Sequence, residues 1–159
     1  DIPHSRYNGI SEAQFNKARV KILATSAVGV HLAVSPDLFR IVFFQGHPEY
    51  DSISLLKEYK REIALHLEGD RPDYPPFPDN YLSLQNCAIL DEYKSRLLSN
   101  SMTLSDFPEK LIMETLDNTW HDSASAIINN WIGSVYQITN EDIKLPFMAS
   151  VNPLNPLDL

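Results

Sequence analysis

The 159 residues amount to one domain's worth of chain, enough to bury a substantial core. Hydrophobic residues make up 43% and charged residues 21%, the balance of an ordinary globular domain, which excludes a disordered or fibrous class. A net charge of -8 without Lys/Arg runs argues against a surface that tracks nucleic-acid phosphates, and no apolar run reaches the ~20 residues needed to cross a bilayer. Neither nucleic acid nor membrane is therefore expected as a partner. Residues 1–6 carry no basic-then-apolar signal pattern, and the single Cys87 has no internal disulfide partner, so a soluble, cytoplasmic protein is expected. The chain opens on Asp1 rather than Met, as expected of a piece of a longer protein whose site is assembled from distant segments.

Ser11-Glu12-Ala13-Gln14 reads as a short helix start, with Ser11 as N-cap and Glu12 in the first turn. Beyond it, β-branched and apolar residues predict strands over 20–26, 28–34 and 38–45, the last two forming a hairpin through Ser35-Pro36-Asp37. Ile41-Val42-Phe43-Phe44 is continuously apolar, as expected of a central strand covered on both faces. After Gly46 a helix is predicted with Asp51 as N-cap, Ile53, Leu56, Tyr59, Ile63 and Leu67 on its inward face, and Gly69 as its stop. Four prolines between Pro72 and Pro78 make residues 71–81 a loop. Helices are predicted over 88–98, over 105–116 with Pro108 in the first turn, and over about 120–138 with Ile127, Ile128, Trp131, Val135 and Ile138 on one stripe. The tail from Leu145 should be extended and pinned by Phe147 and Leu154.

The strongest chemical signal is Gly46-His47-Pro48-Glu49, which sets an imidazole and a carboxylate two residues apart just after a strand. The imidazole can act as general base, and the carboxylate can fix its tautomer and stabilise the imidazolium. The plainer alternative is a loop histidine satisfied by backbone, with Glu49 favouring a helix N-terminus. Cys87 lies at a helix start without the flanking glycines of a nucleophile elbow and is read as structural. His31, His66 and His121 have no partners at ligand spacing, so no metal site is expected. Trp120 and Trp131 are read as core or interface aromatics, and Arg61, beside Lys57, Glu58 and Glu62, as part of a charged helix face.

Gly46-His47-Pro48-Glu49-Tyr50-Asp51, followed by Leu55, Glu58, Tyr59 and Arg61, resembles the signature of the homoserine O-succinyltransferase and O-acetyltransferase family. Pro3-His4-Ser5-Arg6-Tyr7 near the start, and Asn130-Trp131-Ile132 with Val135-Tyr136-Gln137-Ile138-Thr139 near the end, match the same family in the same order, so the resemblance spans nearly the whole chain. Residues 82–118 form a longer connection than the family usually has.

The resemblance implies an α/β fold, the C-terminal half of a three-layer, flavodoxin-like class I glutamine-amidotransferase architecture with additional C-terminal helices. Residues 1–159 would be the C-terminal part of one acyltransferase domain. It implies His47 as general base and Glu49 as orienting carboxylate of a Cys-His-Glu triad, with Arg61 and Ser5 binding substrate. The nucleophilic cysteine would lie in the absent N-terminal half, so this stretch alone would be inactive. The implied partners are L-homoserine, succinyl-CoA or acetyl-CoA as co-substrate, and that other half; no cofactor is implied, and a homodimer is admitted. A glutaminase domain of a class I amidotransferase, which also ends a strand in His-Pro-Glu, and a non-catalytic module of the same fold remain alternatives.

Overall fold

The computed structural model describes residues 2–158. In chain order the elements are α1 (Glu12–Lys17), β1 (Lys21–Ser26), β2 (Gly29–Val34), β3 (Val42–Phe44), α2 (Ser54–Glu68), α3 (Leu84–Leu98), a 3-10 turn (Leu104–Asp106), α4 (Glu109–Met113) and α5 (His121–Ile138). The fold is mixed α/β, with a small antiparallel sheet. The chain divides into two compact units: residues 1–49 with 119–159, and residues 50–118.

In the first unit α1 is nucleated by a capping box. The Ser11 side chain accepts the Gln14 N–H, and Gln14 Oε1 accepts the Ser11 N–H at 2.8 Å. The helix buries Phe15 with Val30 and Ala33 of β2, flanked by Val20 and Ile22. Strands β1 and β2 pair from Ser26 opposite Gly29, leaving only Ala27 and Val28 as the turn, and Gly29 takes up a φ of +118° that a side chain would resist. β2 then pairs with β3, Leu32 opposite Phe44 and Val34 opposite Val42.

The middle strand of these three is β2, not the Ile41–Phe44 run that continuous apolarity predicts, and β3 covers less than half of the expected 38–45. Ile41 and Phe43 are 54% and 37% exposed. The strand is shortened by a competing turn. Ser35 donates its hydroxyl to Asp37 Oδ1 at 2.6 Å, and that carboxylate accepts the N–H groups of Phe39 and Arg40 at 3.3 and 3.1 Å. Side-chain acceptors thus take over donors that a ladder would use. The Ser35 N–H still reaches the Ile41 carbonyl at 2.9 Å, so the expected hairpin forms with a wider loop.

Helix α5 joins this unit through Trp131, whose indole N–H donates to the carbonyl of buried Phe39. The tail is not extended as predicted but runs as successive turns, for example Leu145 N–H to Asp142 O and Asn155 N–H to Asn152 O. Phe147 packs on Phe39 with ring centroids 6.1 Å apart, whereas Leu154 is exposed and pins nothing. Asx-type acceptance by Asn140, Asp142 and Asn152 explains the turns.

The second unit is helical, with a core of Leu56, Tyr59 and Ile63 from α2, Leu90, Tyr93 and Leu97 from α3, and Phe107 and Ile112. Leu67, expected on the inward face of α2, is exposed one turn beyond the last core contact. α2 starts three residues after Asp51, with Ile53 at the cap position and no side-chain cap; Asp51 contributes only its carbonyl, which accepts the Ser54 N–H. Gly69 ends the helix in a left-handed conformation, φ +87°, as predicted. The proline-rich stretch has no regular element, and its Tyr74, Phe77 and Tyr81 pack against the helical core.

α3 begins four residues earlier than expected because Ser83 caps it, accepting the Asn86 N–H at 3.1 Å. The predicted 105–116 helix is split. A Thr103–Asp106 capping box closes a single 3-10 turn, and Pro108, lacking an N–H, stands before α4 rather than inside a continuous helix. Among the described residues no helix is long and apolar enough to cross a membrane.

Candidate functional site

Within the first unit, the end of β3 meets residues 3–10. The Gln45 N–H continues the ladder to the His31 carbonyl at 3.0 Å, and the Arg6 guanidinium donates to the Gln45 carbonyl at 3.2 Å. Gly46 follows at a point with no room for a side chain: a Cβ there would stand 2.9 Å from the Pro3 carbonyl oxygen and 3.0 Å from His4 Nε2. That close approach lets the His47 N–H donate to the Pro3 carbonyl at 2.7 Å.

The His47 ring lies between two oxygens. Nδ1 is 2.8 Å from Glu49 Oε1, and Nε2 is 3.3 Å from the backbone carbonyl of Ser5. With Nδ1–H donating to Glu49, a neutral ring keeps its lone pair on Nε2, the form that can take a proton from a nucleophile; in the imidazolium Nε2–H donates to the Ser5 carbonyl. The His47 side chain is 34% exposed and that of Glu49 66%. Partial desolvation acts to raise the Glu49 carboxyl, but hydrogen bonds from His47 and from its own backbone N–H, with the His47 charge, outweigh it and hold it below the ordinary carboxylate value.

Two further imidazoles flank this loop. His4 and His31 meet edge to face at 5.4 Å between centroids, and His31 meets Phe44 at 6.0 Å. Burial first, then the charge of Arg6, pushes both below the ordinary imidazole value; His31 and His47 add to this at His4, against a hydrogen bond to the Gln45 backbone. Both are thereby biased toward the neutral form, beside the fixed positive charge of Arg6.

Ser5, His47 and Glu49 thus stand together in one unit, Ser5 through its carbonyl. Arg61 belongs to the other unit, on α2. Its guanidinium is 59% exposed and pairs with the adjacent Glu62 at 3.3 Å, a carboxylate that Arg71 holds more closely at 2.8 Å. Cys87 sits half-buried in α3 of that second unit. Among the described residues no group of three His, Cys, Asp or Glu is arranged to hold a metal ion. The roles of Gln45 and Gly46 emerge only in the folded chain. A glycine directly ahead of the histidine was the available signal for a tight backbone approach, whereas nothing local marks Gln45.

The model of the homoserine O-succinyltransferase family matches residues 1–141. Among curated proteins, the homoserine O-succinyltransferase of Nitrosococcus oceani is 58% identical over 163 aligned positions, covering 100% of this chain and 46% of that protein. The homoserine O-succinyltransferases of Methylobacter tundripaludum and Thioalkalivibrio nitratireducens are 55% and 54% identical, covering 100% and 99% of the chain and 46% of each protein. The chain spans about half the length of the curated relatives it matches. No solved structure matches.

Proposed function

The chain belongs to the homoserine O-succinyltransferase family, and on that premise we propose that it forms part of a cytoplasmic enzyme transferring a succinyl group from succinyl-CoA to the hydroxyl of L-homoserine. The observation that carries this reading is the His47 Nδ1 to Glu49 Oε1 contact at 2.8 Å, in which the carboxylate holds the imidazole with Nε2 as its basic nitrogen.

The proposed nucleophile is a cysteine supplied by the remainder of the protein, which completes a three-layer class I glutamine-amidotransferase-like domain of which these residues are one part. His47 takes the thiol proton, and the thiolate attacks the succinyl carbonyl. The tetrahedral intermediate collapses to a thioester as CoA leaves as its thiol with the proton held by His47. Homoserine then presents its hydroxyl to His47, beside which Ser5 lies; the family resemblance, not the geometry, is what supports Arg61 as the partner of the homoserine carboxylate. His47 removes the hydroxyl proton, the alkoxide attacks the thioester, and the cysteine is released as thiolate and reprotonated. No cofactor is required, because acyl-CoA brings the activated acyl group. The succinyl donor is preferred to acetyl because the matched relatives carry that name. The family match also favours acyl transfer over a glutaminase activity.

The test uses the full-length protein with succinyl-CoA and acetyl-CoA in parallel. The parent should form a succinyl-enzyme and pass the group to homoserine, and His47→Asn should form none. Acylation at the parental rate in that variant, or ammonia release from glutamine in place of acyl transfer, would overturn the reading.

A further inference from the structure

Gln45 joins three separate pieces of chain. Its side-chain Oε1 accepts the Ile10 N–H at 2.6 Å, while Nε2 donates to the Ile10 carbonyl at 2.9 Å and to the Val30 carbonyl at 2.8 Å. Its backbone N–H donates to His31 and its carbonyl accepts from Arg6. The side-chain amide therefore treats residue 10 as a strand would, giving one acceptor and one donor to the two backbone groups of a single residue. This pattern needs a donor and an acceptor on one planar group of that reach. Glu offers two acceptors, Lys and Arg only donors, and Met at most a weak acceptor.

The consequence falls on His47. The stretch holding Pro3 and Ser5 is secured at its start by the His47 N–H on the Pro3 carbonyl and at its far end by the Gln45 clamp on Ile10. Between these points Ser5 presents its carbonyl 3.3 Å from His47 Nε2. The space that Gly46 leaves open is closed by the same stretch, through the Pro3 carbonyl and the His4 ring.

We infer that Gln45 is a positioning residue for acyl transfer: its side-chain amide holds residues 3–10 against the start of β2, and thereby sets the surroundings of the His47 Nε2 that exchanges the proton. It touches no reacting atom. The inference rests on the acyltransferase reading above, and a wedge of misplacement of about 1 Å at a reacting group is enough to cost roughly 100-fold in rate.

The test compares Gln45→Met, which keeps the side-chain length without the amide, and Gln45→Glu, which keeps an acceptor but sets a carboxylate against the Val30 and Ile10 carbonyls, in the full-length protein. Both should slow formation of the succinyl-enzyme about 10- to 100-fold, with KM for succinyl-CoA and homoserine within about two-fold of the parent. The imidazole 15N resonances of His47 should move in both, because the Ser5 carbonyl no longer lies at a fixed distance from Nε2. Parental acylation rates with unmoved His47 resonances, or a loss seen only as raised KM, would overturn the assignment of Gln45. His47→Asn, run alongside, separates the two levels: if it acylates normally the acyl-transfer reading fails, and if it is dead while both Gln45 variants are normal, only the positioning role fails.

Discussion

Glu49 Oε1 stands 2.8 Å from His47 Nδ1, a carboxylate only two residues along the chain from the imidazole it meets. Because the pair is local and two-thirds of the Glu49 side chain is exposed, its value lies in orientation rather than in fold stability. Glu49→Gln in the full-length protein should lower kcat by about 10²- to 10⁴-fold, since an amide can present its N–H to Nδ1 and favour the wrong tautomer. Steady-state kinetics check this, with thermal unfolding expected to be nearly unchanged. The sign of the acid dependence follows from the depressed Glu49 carboxyl: its contact with His47 favours the folded arrangement above the unfolded carboxylate value and is lost only as pH falls through the lower, folded one. The side-chain carboxyl 13C signal of Glu49 should titrate below the reference 4.5; a midpoint at or above it counts against the contact.

Gly46→Ala tests the close approach of residues 3–4. The added methyl would meet the Pro3 carbonyl at 2.9 Å and the His31 ring at 3.2 Å, and the Pro3 oxygen is already committed to the His47 N–H. The backbone must move apart, costing about 1–3 kcal/mol of stability by overpacking. Denaturant unfolding should show that loss, and the rate of acyl-enzyme formation should fall with it. A variant as stable and as active as the parent would show that the approach is not required.

Arg61→Ala should leave stability nearly intact, since its exposed guanidinium pairs only with a neighbouring carboxylate that Arg71 also satisfies. On the proposed role of Arg61, losing a charged hydrogen bond of about 1.5–3 kcal/mol to the homoserine carboxylate would raise KM for homoserine by about 10- to 100-fold. Succinyl-enzyme should then accumulate, observable by intact mass. Failure of acylation with normal transfer from preformed acyl-enzyme would remove Arg61 from the acceptor site.

Local patterns translated well into structure where one chemistry dominated. Ser11 as a helix cap, Gly69, the proline-rich loop and the long apolar stripe of α5 all have short-range causes. The errors arose where two local preferences competed. Asp37 was legible as a turn residue, but not as an acceptor for three donors that would dissolve half of a predicted strand. Asp51 resembled an N-cap, yet its side chain caps nothing, because the chain takes a turn through residues 52–53 before α2 begins. Of the candidate site, His47 and Glu49 could be read from their two-residue spacing. The Gln45 clamp could not, since its partners lie 15 and 35 residues away and no periodicity links them.

The hydrogen bond from Trp131 to the Phe39 carbonyl spans 92 residues of sequence, and the helical unit of residues 50–118 occupies most of that span. Closing so long a flexible loop carries an entropic cost that grows with its length. The intervening helices gather their core from residues within 56–112, a shorter span of sequence. Order in those residues shortens the freely flexible length that the closure must span. Forming α2 to α4 before the Phe39–Trp131 closure would therefore lower the entropic cost of that closure. Mutations that loosen Leu90 or Ile112, far along the chain from both residues, should therefore slow the docking of α5 as well as weaken their own core.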